Sequence, residues 1–385
     1  MRSSSNANAV TDEADRYRLS PEQHERIFQR DIVSELAAPA RGVDAPRAVI
    51  LGGQPGAGKS ALQSAVERDF ASFGGVLAII GDDLRAYHPK YRTLLRADDK
   101  RAAFYTDRDS ALWIEKLIDY AKTRRFNLLI ESTMRRADKI VATASALREQ
   151  GYSVEARALA VDARWSVLGI HQRYEGMLQV HGRARFTLQA AHDAAYTGML
   201  QTLSELESAS ASPLDRLAIY TRGNVVIYDN RRRASGWIRE PKARQAVEAE
   251  RARPWSEFEK VEFLRGWQRL FDQRRARQAA DEDLRYARGW RDRALLDVHA
   301  DPAARSELAK GLTQAQLRAL ERTTAAAAFQ LLTEAEALRV FPALEPYYRE
   351  RNHSRTPAPE LVARLSARIA RDFPKPPARQ RSPER

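Results

Sequence analysis

Residues 48–60 read Ala-Val-Ile-Leu-Gly-Gly-Gln-Pro-Gly-Ala-Gly-Lys-Ser and decide the fold class. The last eight form the pattern G-x-x-x-x-G-K-S, which lies between an apolar run and a helical pattern that begins at Ala61. Glycines let backbone N–H groups turn toward phosphates, while the lysine reaches the β- and γ-phosphates and the serine hydroxyl binds Mg²⁺. The stretch therefore predicts a phosphate loop for ATP or GTP, rather than a glycine turn followed by a surface lysine. The predicted nucleotide-binding residues are Gly53, Gln54, Pro55, Gly56, Ala57, Gly58, Lys59 and Ser60, with Ser60 as the metal ligand.

Length and composition limit the class of protein. The 385 residues, 43% of them hydrophobic, suit two domains or one domain with a large extension. The absence of cysteine excludes disulfides, thiol catalysis and cysteine zinc sites, and it fits a reducing compartment. No apolar run approaches the roughly 20 residues of a membrane helix, and the polar start of the chain lacks a secretory pattern. We therefore expect a soluble, cytoplasmic protein without a membrane span.

The net charge of +13 is concentrated in the C-terminal part of the chain. Residues 1–230 carry 31 basic and 29 acidic side chains, whereas residues 231–385 carry 33 and 22. A basic tract attracts nucleic acid or anionic membranes, but it is also typical of solvated helix faces. Aromatic residues in this part follow helical spacing among leucines, which favours core packing over base stacking. They are Trp237, Trp255, Trp267, Tyr286 and Trp290.

The first 230 residues alternate short apolar runs with amphipathic stretches. This order predicts an α/β fold of the P-loop kinase type, with a mostly parallel sheet flanked by helices. The predicted strands are Ala48–Leu51, Val76–Ile80, Asn127–Ile130, Ser153–Ala160, Leu217–Thr221 and Val225–Tyr228. The predicted helices are Pro21–Leu36, Lys59–Phe70, Asp99–Arg124, Ala137–Gln150, Ser166–Val180 and Leu188–Glu207. Only Arg222-Gly223-Asn224 separates the last two strands, which indicates a hairpin that closes the domain.

Strand patterns stop after Arg233, and the remaining sequence predicts a mainly α-helical extension. We expect a disordered N-terminus at 1–16, a kinase domain at 17–233, a basic helical extension at 240–350 and a Pro/Arg-rich tail at 351–385. The tail would contain one short helix, Glu360–Arg371. On this division, a chain truncated after Arg239 keeps its catalytic activity.

Two strand ends place polar side chains at the edge that carries the phosphate loop, because ligands lie beyond the carboxyl ends of parallel strands. The second strand leads into Asp82, whose carboxylate can accept the proton of an attacking hydroxyl in phosphoryl transfer. The alternative for Asp82 or Asp83 is a helix N-cap. The third strand ends in Glu131-Ser132-Thr133-Met134-Arg135, a set suited to a polyhydroxylated or phosphorylated substrate.

This ordered set resembles the zeta toxin family, the kinase half of epsilon/zeta-type toxin–antitoxin systems. The resemblance runs from about Tyr17 to Asn230 and includes the approach to the phosphate loop. It also includes the aspartate six residues before His88-Pro89, and Glu115 sixteen residues before Glu131. Two arginine elements follow, at Gln172-Arg173-Tyr174-Glu175 and Arg183-Ala184-Arg185.

Zeta toxins phosphorylate the 3′-hydroxyl of the sugar in UDP-N-acetylglucosamine, and the resemblance implies the same reaction here with ATP and Mg²⁺. Asp82 would be the general base, Lys59 a γ-phosphate ligand, and Arg173 and Arg185 stabilisers of the transferred phosphoryl group. Arg183 competes with Arg185, since the spacing between the arginine elements is about one residue short. The implied substrate-binding residues are Glu115, Glu131, Thr133 and Arg135.

Two rival functions stay open at this point. One is a kinase of another substrate, such as an antibiotic, NAD or a polynucleotide end, because fold alone does not define the substrate. The other is a non-catalytic nucleotide-binding module that works through its basic extension, which would bind an acidic partner or nucleic acid. Asp82, Glu115 and Glu131 argue against the second, since a pure switch needs no carboxylate beside the γ-phosphate. The resemblance also implies a separately encoded antitoxin. The histidines form no pattern of a transition-metal site.

Overall fold

A computed structural model describes residues 15–208, 212–354 and 358–373. The chain divides into two compact units, Met1–Arg253 and Pro254–Arg385. This division falls later than the expected end of the kinase domain at 233. Of the proposed disordered N-terminus at 1–16, residues 1–14 lie outside the described residues, as do 355–357 and 374–385 of the proline-rich tail. No helix in the described part of the chain is long and apolar enough to cross a membrane.

The first unit is built on a seven-stranded sheet with the order β2-β3-β1-β4-β5-β6-β7. The strands are β1 Arg47–Gly52, β2 Leu77–Ile79, β3 Leu128–Ser132, β4 Ser153–Ala160, β5 Arg216–Thr221, β6 Val226–Arg233 and β7 Gly236–Trp237. The first five are parallel, and β6 and β7 are antiparallel. The mostly parallel sheet and the hairpin after β5 confirm the predicted fold class.

The central strands β1 and β4 are buried at every position after the first, because helices cover both faces of the sheet. Val154, Ala156 and Ala158 of β4 lie in one core cluster, whereas Leu159 lies in a second cluster with Val49 of β1. The helices of this unit, in chain order, are α1 Pro21–Ile27, α2 Ser34–Leu36, α3 Lys59–Phe70, α4 Gly81–Leu84, α5 Tyr91–Ala97, α6 Ala102–Arg124, α7 Ala137–Glu149, α8 Ala163–His181, α9 Gln189–Ser208 and α10 Ala243–Ala252.

The leading helix begins where the sequence indicates. Ser20 at the N-cap and Gln23 at the third helical position form a reciprocal capping box at the start of this helix. The helix is not uniform, because Phe28–Val33 is a π-helical segment between α1 and α2. Its buried side chains, Phe28 and Ile32, face the core.

Two details after the hairpin differ from the sequence prediction. Strand patterns were expected to end at Arg233, but β7 pairs with the end of β6 through Arg232 and Trp237. A two-residue strand is too short to show alternation, which is why the pattern misses it. The predicted extension at 240–350 includes α10, yet Ala243 and Val247 of this helix are fully buried in the core cluster of the sheet unit.

The second unit is helical in its described part, as the sequence predicts. Its helices are α11 Glu257–Ala276, α12 Asp281–Ala300, α13 Pro302–Ala309, α14 Gln314–Leu331, α15 Glu334–Val340, α16 Glu345–His353 and α17 Ala358–Asp372. Trp267 is fully buried and stacks on Trp290 with ring centroids 5.5 Å apart. These two indoles therefore serve core packing, whereas Tyr286 is 40% exposed.

Candidate active site

The phosphate loop connects β1 to α3 and is fixed partly by its own backbone. The Ala57 N–H donates to the Gln54 carbonyl at 3.1 Å, and Gly58 caps α3 in the left-handed region with φ 93°. Gly56 has φ 78°, and a Cβ at this position would lie 2.0 Å from the Ser166 carbonyl oxygen. Both its conformation and the close approach of α8 therefore require glycine at position 56.

Lys59 joins the loop to the end of β3. Its Nζ donates to the Gly53 carbonyl at 2.9 Å and lies 3.3 Å from Glu131 Oε1. The parallel pairing of β1 and β3 sets Leu51 beside Glu131, so the loop and this carboxylate share one edge of the sheet. The position predicted for Glu131 from the sequence is the one that the structure gives.

Asp82 follows β2 and lies in the single turn of α4. The alternative that it or Asp83 caps a helix is wrong, because Ile80 occupies the N-cap position and no side chain bonds to the cap. The Asp82 carboxylate instead faces cations. Arg185 Nη2 donates to its Oδ2.

Two further arginines approach the same carboxylate. Arg173 Nη1 lies 3.6 Å from Asp82 Oδ2, and Arg85 Nε lies 3.7 Å from Oδ1. Arg173 is oriented by a hydrogen bond to Thr187 Oγ1 at 2.8 Å. Arg85 is oriented by the Ala103 carbonyl at 2.7 Å. The three guanidinium groups thus surround one carboxylate from three different elements.

This surrounding charge determines the protonation of Asp82. Burial alone raises the pKa of the carboxyl, but the attraction of Arg185, Arg173, Arg85 and Lys59 outweighs it and lowers the pKa below its ordinary value. Asp82 is therefore ionised at neutral pH. Burial lowers the pKa of the Arg173 guanidinium, while Asp82 acts in the opposite direction.

Asp83 behaves differently from its neighbour. Burial raises the pKa of its carboxyl, and the negative charges of Glu131 and Asp82 raise it further. A bound cation would relieve both effects, because it compensates the like charges that disfavour ionisation.

Two cavities meet at this edge of the sheet. The first, of about 500 Å³, is lined by the predicted substrate residues Glu131, Thr133 and Arg135. The second, of about 570 Å³, is lined by the phosphate loop and the start of α3. The residues that line both cavities are Lys59, Asp82, Glu131 and Arg173. Asp82 and Lys59 therefore stand at the junction between a loop-lined cavity and a cavity with a polar, cationic wall.

Two residues that the sequence suggests for the site do not line these cavities. Glu115 is exposed on α6 and lines neither cavity, although Ala111 and Ile114 of the same helix line the first. Arg183 also lines neither cavity, whereas Arg185 reaches Asp82. The geometry thus favours Arg185 over Arg183 as the second arginine of the site.

Sequence reasoning missed several residues of the site. Arg85 lies one turn after Asp82, a spacing that signals proximity once α4 is known to be helical. Arg222 lines the loop-side cavity from the hairpin turn and donates to the Trp165 carbonyl at 3.2 Å. Asp83 lines the same cavity as Ser60. In the sequence, the residues around Arg222 predict a hairpin but show no pattern of a ligand-binding residue.

A magnesium ion fits the loop-side cavity chemically. The Ser60 hydroxyl and the Asp83 carboxylate are hard oxygen ligands, which Mg²⁺ prefers alongside phosphate oxygens and water. Among the described residues, no group of three or more His, Cys, Asp or Glu side chains forms a metal cage.

The fold and the loop define the class of protein as a P-loop kinase fold. The family model described as Zeta toxin matches residues 33–233, and the chain belongs to the zeta toxin family. Membership indicates a phosphotransferase.

Similar proteins agree with this assignment. The chain is 29% identical over 247 residues to Toxin PezT of Streptococcus pneumoniae, covering 63% of this chain and 94% of that toxin. It is 31% identical over 201 residues to Toxin zeta of Enterococcus hirae, covering 52% and 69%. A solved structure from the PezAT chromosomal toxin–antitoxin system of Streptococcus pneumoniae has a TM-score of 0.57 and 26% identity, covering 67% of this chain and 98% of that one.

Proposed function

We propose that this protein is a toxin kinase that transfers the γ-phosphoryl group of ATP to the sugar 3′-hydroxyl of UDP-N-acetylglucosamine. The observation that carries the proposal is the pair of cavities that share Lys59, Asp82, Glu131 and Arg173. A phosphoryl donor bound at the loop and an acceptor bound against β3 would meet at Asp82. Positioning of this kind, together with charge neutralisation, supplies most of the catalysis in phosphoryl transfer.

The reaction follows from the chemistry of the shared residues. The Asp82 carboxylate accepts the proton of the acceptor hydroxyl as its oxygen attacks the γ-phosphorus. The bond between the γ-phosphorus and the bridging oxygen breaks, and ADP leaves. Lys59 and Arg173 would stabilise the negative charge on the transferred group, with Arg185 as the third cation.

The arginines link nucleotide binding to the basicity of Asp82. Arg185 and Arg173 lie against this carboxylate, and a γ-phosphate would compete for the same guanidinium groups. Arginine that turns toward phosphate stabilises the ionised carboxylate less, so the pKa of Asp82 would rise toward its ordinary value. The base would thereby gain proton affinity when the donor is bound.

Mg²⁺ would be held by Ser60 and Asp83. When bound, it neutralises negative charge on the phosphates. The chain's own residues orient the donor through the N–H groups of the loop and the start of α3.

The acceptor assignment rests on the charge of the first cavity and on the family. Its lining includes Lys100 and Arg135 in addition to the arginines at Asp82, which suits an acceptor that carries a diphosphate. Carboxylate and hydroxyl groups at Glu131 and Thr133 suit the hydroxyls of a sugar. A separately encoded antitoxin is proposed as the protein partner, by analogy with the PezAT system named above.

The test incubates the purified chain with ATP, Mg²⁺ and a panel of UDP-sugars, followed by product mass and position analysis. We expect one phosphoryl group added to UDP-N-acetylglucosamine, and none to the analogue that lacks the 3′-hydroxyl. Lys59→Ala serves as the inactive control, because it removes a cation that lines both cavities. Transfer to none of the UDP-sugars, at protein concentrations that bind ATP, would overturn the substrate assignment.

A further inference from the structure

Arg251 is a buried cation on α10, a helix that lies outside the residues matched by the family model. Only 8% of Arg251 is exposed. Its Nη1 donates to the Tyr196 carbonyl at 2.8 Å, and its guanidinium carbon lies 3.7 Å from the centre of the Tyr196 ring. Its Nη2 donates to Gln54 Oε1 at 3.3 Å. Arg251 therefore joins α10 and α9 directly to the second residue of the phosphate loop.

Gln54 is fully buried, and its side-chain amide is held from two sides. Its Nε2 donates to the Val161 carbonyl at 2.8 Å and to Ser166 Oγ at 3.2 Å. Its Oε1 receives the hydrogen bond from Arg251. The main-chain carbonyl of the same residue accepts from Ala57 inside the loop. Gln54 therefore contacts Arg251 through its side chain and holds the turn of the loop through its backbone.

On the side of α8 the loop is closely packed, with backbone against backbone. A Cβ on Gly169 of α8 would lie 2.3 Å from the Gly56 carbonyl oxygen. Ser166 of the same helix is within 2.8 Å of His192 Nε2, and His192 is fully buried on α9. Among these side-chain hydrogen bonds of Gln54, the one from Arg251 comes from the segment furthest along the chain, 197 residues away.

We propose that Arg251 is a positioning residue for the phosphate loop, and that α10 is an integral part of the nucleotide site. The inference rests on the proposed binding of ATP. Loss of the guanidinium leaves Gln54 Oε1 buried without its charged donor, which is costly in a protein interior. The loop would relax to recover a hydrogen bond, and its N–H groups would be less well oriented for phosphate.

The experiment measures ATP affinity in the full-length chain by calorimetry with Mg²⁺, for Arg251→Ala, Arg251→Lys and the control Arg244→Ala. Arg244 lies on the same helix, is exposed and pairs with Glu248. We expect about tenfold weaker ATP binding for Arg251→Ala, equivalent to about 1.4 kcal/mol. Arg251→Lys keeps a cation over Tyr196 without reaching both acceptors, so an intermediate loss is expected. Arg244→Ala should bind ATP like the wild type.

Steady-state kinetics distinguish positioning from general destabilisation. The KM for ATP should rise in the Arg251 variants while the KM for the acceptor stays unchanged, because only the loop wall is altered. Since Arg251→Ala removes a buried group, Arg251→Lys decides the outcome if the alanine variant does not fold. Equal increases in both KM values would overturn the inference.

A double-mutant cycle tests the partner. Gln54→Ala and Arg251→Ala should be strongly non-additive in ATP affinity, whereas Gln54→Ala and Arg244→Ala should add. A wild-type chain that binds no ATP would overturn the proposed function and this inference together. Wild-type binding with unchanged affinity in both Arg251 variants would overturn this inference alone.

Discussion

Replacing Asp82 by asparagine is the sharpest test of the proposed chemistry. The change keeps the shape of the side chain and leaves an oxygen that accepts from Arg185, but it removes the charge and the proton acceptor. General-base catalysis contributes about 10²–10⁴ in rate, so we expect turnover to fall at least about 100-fold.

The electrostatics of the site predict that the same substitution does not weaken ATP binding. At the 3.6 Å separation of Arg173 Nη1 and Asp82 Oδ2, gross attraction is about 1 kcal/mol in water and about 5 kcal/mol at an effective dielectric constant of 20. Both side chains are 41% exposed, so the lower figure is the better guide. Removing this attraction frees cations for phosphate, and ATP affinity should stay equal or increase.

The assay combines calorimetric ATP binding with single-turnover transfer to UDP-N-acetylglucosamine. Asp138→Asn is the matched control, since Asp138 pairs with Arg136 on the exposed face of another helix. A lowered pKa also means that the wild-type carboxylate is protonated only below the ordinary value of 3.8. The acid limb of kcat/KM, which reports the free enzyme, should therefore lie below that value. Turnover within tenfold of the wild type, or loss of ATP binding in parallel with turnover, would refute the assignment of Asp82 as the base.

Three further predictions follow from packing. Gly169→Ala should weaken ATP binding measurably, because its Cβ would lie 2.3 Å from the Gly56 carbonyl oxygen. The control Gly176→Ala, on the same helix, places its Cβ in open space and should leave ATP affinity unchanged. Equal calorimetric affinities of the two variants would contradict this prediction. Glu155→Ala should lower the free energy of unfolding by about 3 kcal/mol in urea titrations, because it leaves Arg157 and Arg216 partly unpaired in the sheet. A loss under about 1 kcal/mol would argue against this role of Glu155. Truncation after Arg239 should destabilise the sheet unit, because it removes α10. Truncation after Arg253 should preserve the cooperative thermal unfolding of that unit. Identical melting of the two truncated proteins would refute a domain boundary at Arg253.

The sequence was sufficient for features that depend on local pattern. The strand Ser153–Ala160 and the helix Lys59–Phe70 have the bounds predicted for them, because each combines a continuous pattern with a clear start. The phosphate loop is defined by residue types whose backbone requirements are strict, so its sequence determines its location.

The missed features depend on short elements or on distant contacts. The turn Gly81–Leu84 and the helix Tyr91–Ala97 are too short for a periodic pattern, and the helical turn is what brings Arg85 back to Asp82. The contact of Arg251 with Gln54 joins residues with no local relation, so nothing in either segment indicates it. The difference in the domain boundary has the same origin, because α10 resembles the later helices in composition and differs only in what it packs against.

The shared wall of the two cavities also implies a thermodynamic linkage between the ligands. Lys59 and Arg173 line both spaces, so each anionic ligand would draw on cations that the other needs. Binding of the first would then change the affinity for the second, and the effect must be equal in both directions. Such a kinase would sense the balance of donor and acceptor concentrations, rather than respond to each one independently.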